Sequence, residues 1–278
     1  MSAPARPGAG RFPQSGPTAD RPARTRRRTA APLSRLLRSE IELALARPRT
    51  AVALAAAALV PILGAAALAA SGPERYAYVL GVLMVALAEP AAFSLGMPVV
   101  LVAADAFATE RARGTLDGLR LSPVGPGRLV LLKASAVAAA AVLASVVVVG
   151  TSLLAGWAAL GVGPFGTGPT LARALLLTVW TAGQLTGFGI LLLAVSAAAR
   201  RPSVVVVAGL VALVVAPLVA VLWGPAAPAL PTGHWHEVLA GTFSAPVDTA
   251  AAWATTLRAA GFAVAGAGVA GYLLGRGS

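Results

Sequence analysis

The sequence predicts an all-α membrane protein with six transmembrane helices, an N-terminal amphipathic interfacial helix and a short cytoplasmic helix between spans two and three. Of its 278 residues, 58% are hydrophobic and only 12% are charged, whereas a soluble domain carries about 25% charged residues. The apolar residues form long runs, and the basic residues cluster in alternate connections between them. The absence of cysteine excludes disulfides, thiolate metal sites and cysteine nucleophiles.

Residues 1–32 differ in composition from the rest of the chain. They are rich in proline, glycine, serine and arginine and show no apolar periodicity, which predicts a disordered basic tail. Three consecutive arginines at 26–28 could form a nucleic-acid patch, an export signal or a cytoplasmic charge. A secretory apolar region should follow its charges closely, but the next long apolar run begins only at Ala51. We therefore expect a cytoplasmic tail that contacts anionic lipid headgroups and no nucleic acid.

Residues 33–46 are predicted to form an amphipathic helix that lies in the membrane interface. Leucines and an isoleucine recur on one side at helical spacing, while Arg38 and Glu42 fall on the other side. Glu40 falls inside the apolar stripe and therefore needs a partner. Arg47 or a second subunit could provide it, and the simplest interpretation is an ion pair that only positions the helix.

Six apolar runs are long enough to cross a bilayer, whose hydrocarbon core needs about 20 helical residues. With the interfacial helix they make residues 33–278 one transmembrane domain. The second run would be about 42 Å long as a straight helix, so we expect it to tilt, to kink at Pro90 or Pro98, or to emerge into the cytoplasm. The six runs are 50–70, 77–104, 133–157, 171–199, 204–223 and 259–275.

The distribution of basic residues predicts the orientation of these spans, because cytoplasmic connections carry an excess of lysine and arginine. Half of the basic residues precede position 50, and the connections at 105–133 and 200–202 are also basic. These segments and both termini are therefore predicted to be cytoplasmic. Four of the five tryptophans fall at the opposite side, as an aromatic belt would: Trp157, Trp223, Trp235 and Trp253.

The cytoplasmic connection at 105–133 stands out among the links between spans. Its order predicts a charged extension of span two, a break at Gly114 and a short helix that begins at the N-cap Thr115. Pro123 ends this helix before span three begins. The result is a small rigid knob that presents two leucines to another protein: Leu116 and Leu119.

This connection resembles the signature of the ABC-2 family of ABC exporter permeases. In that family an acidic, arginine-bearing segment leads into Gly-Thr-Leu, a short leucine helix, a proline turn and a lysine that opens span three. The N-terminal stretch with Arg38, Glu40 and Arg47 is similar to the family's interfacial helix. The positions that match the signature here are Glu110, Arg111, Gly114, Thr115, Leu116, Leu119, Pro123 and Lys133.

The resemblance implies the membrane-spanning permease subunit of an ATP-driven exporter in a bacterial inner membrane, paired with a second copy or a sister permease. A separate ABC ATPase would bind ATP and magnesium, dock on the short cytoplasmic helix that begins at Thr115, and rock the spans. The sequence contains no phosphate-binding loop of its own, so neither a cofactor nor an enzymatic activity is expected in this chain. Glu110 and Arg111 would make charge contacts with the ATPase while the leucines enter its cleft.

Two further polar groups lie within the spans. Glu89 is an acid deep in an apolar run, where an ionisable group is costly and marks a functional candidate. It could face a transport pathway, or it could be protonated or hydrogen-bonded at a kink beside Pro90. Gln184, with Thr181 and Thr186, lies among glycines in span four, where such residues indicate either substrate contacts or close helix packing.

His234 and His236 flank Trp235 in the last outer connection. An extended segment would place both imidazoles on one face and could bind a metal ion, but the sequence has no third histidine and no cysteine. An interfacial helix anchored by Trp235 explains the same residues, so we expect no metal site.

Two other classes of protein remain open. A lipid-modifying intramembrane enzyme would need catalytic residues clustered at one membrane face, and no such cluster is evident. A membrane scaffold that localises an ATPase without transport is compatible with the same motifs. The cargo cannot be deduced from the sequence, although a mostly apolar pathway favours a hydrophobic or amphipathic one.

Overall fold

The computed structural model describes residues 33–71, 78–114, 125–225, 230 and 235–276, and every regular element in these ranges is a helix. The predicted tail at 1–32 and the residues at 115–124 lie outside the described part. The helices are α1 (Leu33–Leu45), α2 (Pro48–Ala70), α3 (Val79–Leu87), α4 (Glu89–Ala106), α5 (Ala108–Ala112), α6 (Pro126–Ala159), α7 (Thr167–Ala198), α8 (Pro202–Leu222), α9 (Trp235–Phe243) and α10 (Ala250–Gly275).

Five of these helices, α2, α6, α7, α8 and α10, are long and apolar enough to cross a membrane. Their outward faces carry large apolar side chains, among them Leu63, Val179 and Val264, which are 65–75% exposed. A helix that is apolar on its buried and its exposed faces suits a lipid environment rather than water. The chain is therefore a multi-pass membrane protein, and five of the six predicted runs correspond to single helices.

The second predicted run is not one helix but two. Ala88 adopts an extended conformation with ψ 152° and separates α3 from α4. Pro90 explains the break, because a proline inside a helix lacks the N–H for a backbone hydrogen bond and clashes with the preceding turn. In the first turn of α4 that N–H is not needed. Pro98, the other predicted kink, lies inside α4 without ending it.

Contacts at the two ends of the broken pair show how far it extends. The Val79 amide donates a 3.1 Å hydrogen bond to the Gly161 carbonyl, just beyond the end of α6. At the other end of the pair, Asp105 forms an ion pair with Arg47 at the start of α2. Together α3 and α4 therefore run between the same two ends of the bundle as the long helices do.

The two ends of the bundle have different chemistry. The charged end holds the beginnings of α2, α6 and α8 and the ends of α4 and α7, with Asp105 and Lys133 among its residues. The tryptophan end holds the end of α8 and the beginning of α10, where Trp223 and Trp253 are 64% and 68% exposed.

Helix α10 packs along α7 in the same direction and begins nine residues before the predicted sixth span. Glycines allow the close approach: a Cβ atom on Gly187 would lie 2.5 Å from the Ala259 carbonyl oxygen, and one on Gly266 would lie 2.5 Å from that of Ile190. The packing interpretation of the span-four glycines is therefore confirmed for Gly187. Because α10 starts early, Arg258 lies inside the helix and not in the outer connection.

Candidate functional site

Lys133 links three separate elements at the charged end. Its ammonium group lies 3.0 Å from a carboxylate oxygen of Glu40 on α1 and 2.6 Å from one of Glu110 on α5. Lys133 itself belongs to the second turn of α6 and is only 9% exposed. One buried cation thus holds together helices that are far apart in the sequence.

A second ionic cluster lies next to the first. Asp105, in the last turn of α4, is 7% exposed, and the same carboxylate oxygen is bound by Arg47 and Arg49. Its other oxygen accepts a 3.0 Å hydrogen bond from the Thr109 hydroxyl. The cluster ties the beginning of α2 to the end of α4, and its two arginines and one aspartate carry a net positive charge.

Helix α5 is anchored to α7 as well as to α6. The Ser196 hydroxyl oxygen on α7 accepts hydrogen bonds from the amides of Phe107 and Ala108, at 3.2 and 3.1 Å. It thereby satisfies donors that the start of a helix leaves without intrahelical partners. Arg111 donates a 3.1 Å hydrogen bond to the Ala199 carbonyl just beyond α7. The short helix is therefore fixed at both its beginning and its end.

The predicted break at Gly114 is confirmed. Helix α5 ends at Ala112, and Gly114 has φ +69°, a left-handed conformation that is typical of glycine after a helix. Glu110 and Arg111, which were predicted to contact another protein, already have partners within the chain. The predicted docking residues lie outside the described part, and their role stays a prediction: Thr115, Leu116, Leu119 and Pro123.

Between α1, α4 and α6 lies a small polar cleft of about 100 Å³. Its lining includes three acids and two bases, namely Glu40, Asp105, Glu110, Arg47 and Lys133. In the described ranges no group of three or more metal-ligating side chains occurs. The residues in this cleft are suited to holding helices in register through ion pairs.

The partner of Glu40 is Lys133, and Arg47, one of the two partners that the sequence suggested, does not provide it. Arg47 is bound to Asp105 instead, because α2 begins beside the end of α4. On the outer side of α1, Arg38 and Glu42 form an exposed pair at 2.7 Å. This hydrogen bond and the charge of Glu42 raise the pKa of Arg38 above its ordinary value. The ion pair between Glu40 and Lys133 positions α1 on α6.

The two candidate pathway residues lie away from the charged end. Glu89 is the first residue of α4, directly after the break, and its side chain lies outside what the structure describes. Gln184 on α7 is 7% exposed, and its amide nitrogen makes no hydrogen bond within the described ranges. Thr181 and Thr186 donate to carbonyls of their own helix at 2.7 Å. Among these three residues of α7, it is Gln184 that presents an unused donor.

Trp235 was predicted as an interfacial anchor, and the structure shows that this is wrong. The side chain is 3% exposed and packs edge-on against Trp180, with 5.1 Å between the ring centroids. It is buried because α9 folds back onto α7. Helix α9 begins at Trp235, so His236 is helical and exposed and the extended geometry of a metal pair is absent there. His234 lies outside the described residues.

Arg173 is a structural residue that the sequence analysis missed. It is 8% exposed near the tryptophan end, and it donates to the carbonyls of Thr242 and Ser244 at 3.0 and 3.2 Å. Its guanidinium also lies over the Phe165 ring, 4.2 Å from the centroid. The available signal was a lone arginine inside an apolar run. It connects α7 to the segment after α9.

Comparison with known protein families gives one match. The family model described as ABC-2 family transporter protein matches residues 45–216 of this chain, which is more than half of its length. The matched region includes both ionic clusters except Glu40, and it ends within α8. No curated protein matches the chain.

Proposed function

The chain belongs to the ABC-2 transporter family, and we propose on this basis that it is the membrane-spanning permease subunit of an ATP-driven exporter. In this proposal it forms the translocation pathway with a second copy or a sister permease. A separate ABC ATPase binds ATP and magnesium and acts on residues 105–133. The observation that carries the proposal is the ionic anchoring of α5, directly before the predicted docking segment, within the region that matches the family.

The charged end provides a physical route for the force. A push on residues 115–124 would reach α5 through Gly114, and the Glu110–Lys133 ion pair would pass it to α6 and α1. The Arg111 hydrogen bond to Ala199 would pass it to the junction of α7 and α8. Glu110 and Arg111 thus act as positioning residues inside the chain, and the leucines of the docking segment contact the ATPase.

The proposed orientation is that of a bacterial inner-membrane protein with both termini in the cytoplasm. The broken pair α3–α4 serves as the sixth span, since it runs between the same two ends as the long helices. The charged end faces the cytoplasm, as the excess of basic residues there favours. Gln184 and Glu89 are the candidate pathway residues, and a hydrophobic or amphipathic cargo suits the apolar bundle.

Copurification tests the proposal. The tagged chain is isolated from its native membranes in mild detergent, and its partners are identified by mass spectrometry. We expect a stoichiometric ATPase with a phosphate-binding loop, and we expect its loss when Leu116 and Leu119 are both replaced by Asp. Gly168→Asp is the matched control, because Gly168 is exposed at the beginning of α7 with open space around it.

The outcomes separate the proposal from its rivals. Loss of the ATPase in the double leucine variant, with the ATPase retained in Gly168→Asp, supports docking at 115–124. A preparation without any ATPase would contradict the exporter proposal. An ATPase that remains bound in the double variant would show that the docking site lies elsewhere. A scaffold would bind the ATPase, but ATP-driven flux would be absent from vesicles that contain the complex.

A further inference from the structure

Arg258 is a charged residue without a partner inside an apolar helix. It lies two turns into α10, one of the helices long and apolar enough to cross a membrane, and it is partly buried. Within the described part of the chain it makes no hydrogen bond, ion pair or ring contact. A charge in such a position is costly and requires a partner or access to the membrane surface. Any partner of the Arg258 guanidinium must therefore lie outside the described residues.

The exposed tryptophans show where that surface lies. Trp180 on α7 donates a 2.9 Å hydrogen bond to Thr255, and Gly209 on α8 packs beside Leu192 of α7. Counted from these contacts at about 1.5 Å per residue, Trp223 and Trp253 both lie about 21 Å from the level of Leu192. Two exposed tryptophans at one height are typical of the interface between membrane and water.

Arg258 lies just inside that belt. It is five residues beyond Trp253 on the same helix, or about 8 Å deeper along the axis. A long arginine side chain at this depth can extend along apolar surface and place its guanidinium at the interface. The position therefore suits a group that resides at the level of the lipid headgroups.

The neighbours of Arg258 place it at the edge of a lipid-facing surface. Leu257 and Val264 on the same helix are 73% and 75% exposed, whereas Ala259 is buried against α7. The nearest acid before it on the chain, Asp248, uses a carboxylate oxygen to accept a hydrogen bond from the amide of Ala250. The residues that the structure describes thus supply apolar surface beside Arg258 and no counter-charge.

We propose that Arg258 binds the phosphate group of a bilayer phospholipid at the tryptophan end. A guanidinium offers several donors in a planar fork that matches phosphate geometry, and a phosphate at headgroup depth neutralises its charge. The acyl chains of the same lipid would lie along the exposed apolar face that Leu257 and Val264 form. This inference rests on the placement of α10 in a membrane and is independent of an ATPase partner.

Lipid binding to the purified protein, with any subunits that copurify, tests this inference. After delipidation in detergent, phosphatidylglycerol is added and bound lipid is measured by native mass spectrometry. We expect R258Q to bind the tightest lipid about ten-fold more weakly than wild type, in line with the loss of a charge-assisted hydrogen bond. R258K should retain part of the binding. R276Q is the control, since Arg276 lies at the other end of α10 over the ring of Tyr272.

Inorganic phosphate and oligomeric state distinguish the other possible partners. If millimolar phosphate displaces the lipid or stabilises wild type as well as phosphatidylglycerol does, the site binds a free anion and the lipid proposal is wrong. If R258Q binds lipid like wild type but loses its oligomeric state, the partner is an acid of a neighbouring subunit, and the proposal is again wrong. R258Q and R276Q with equally weakened binding would indicate a nonspecific charge effect and also contradict it.

Discussion

At the scale of single residues, Lys133 is a buried cation with two ionic partners. Its ammonium group binds two carboxylates at once, and both are largely withdrawn from water, at 31% and 22% exposure. Removal of one partner from such a group leaves the remaining charges without compensation, which costs far more than the pair contributes in the folded protein. Arg38 and Glu42 on α1 form an exposed pair. Removal of one of these two partners leaves the other charge in water, where it needs no compensation.

Lys133 and Arg38 allow a matched comparison between a buried and an exposed cation. Lys133→Met keeps the length of the side chain but removes the ammonium group that binds both Glu40 and Glu110. We expect it to lower the free energy of unfolding by about 2–4 kcal/mol, toward the low end for a broken buried pair because the carboxylates stay partly exposed. Arg38→Met should leave the free energy of unfolding nearly unchanged, because the exposed pair is screened by water. Denaturant unfolding in detergent measures both, and equal losses in the two variants would contradict the bridging role of Lys133.

At the scale of the helices, glycines decide how closely α10 can approach α7. Gly266 faces the α7 backbone, where an added Cβ would lie 2.5 Å from the Ile190 carbonyl oxygen and 2.6 Å from the Cα atom of Leu191. A backbone neighbour cannot move aside as a flexible side chain can. Gly268, two residues further, is exposed and has open space around it. Gly266 therefore serves the packing of α10 against α7, whereas Gly268 does not take part in it.

Alanine substitutions separate the two glycines. Gly266→Ala is expected to force α10 away from α7 and to lower the free energy of unfolding by about 1–3 kcal/mol, as overpacking does. Gly268→Ala should be neutral or slightly stabilising, because alanine favours a helix by up to about 1 kcal/mol over glycine. Thermal unfolding of both variants in detergent checks this. Similar melting temperatures for the two would show that α10 does not pack as described.

At the scale of the whole molecule, the charge asymmetry between the two ends predicts the orientation in the membrane. Ion pairs, arginines and the beginning of the docking segment gather at the charged end. Exposed tryptophans and Arg258 mark the other end. If α3–α4 is one broken pass, as proposed, the number of passes is even, and we expect both termini on the same side.

Single cysteines can report this orientation, since the natural chain has none. Gly127→Cys lies at the beginning of α6 and Gly168→Cys at the beginning of α7, and both positions are exposed with open space. A membrane-impermeant maleimide should label Gly168→Cys in intact cells and Gly127→Cys only after permeabilisation. The cysteine-free parent is the control for background. The reverse labelling pattern would show that the orientation is inverted and that the docking segment does not lie in the cytoplasm.

The sequence by itself determined the all-helical class, the five long apolar helices, helix α1 and the break at Gly114. Each of these depends on local properties: the length of an apolar run, the period of a stripe, or the conformational freedom of one glycine. Only the tertiary structure decided that Glu40 is bound by Lys133, 93 positions away, and that Arg47 and Arg49 share Asp105. It also decided that Trp235 is buried and that Arg173 has carbonyl partners. Partners of this kind depend on which helix ends pack together, because an ion pair or a ring contact forms between surfaces that meet only after the bundle is assembled.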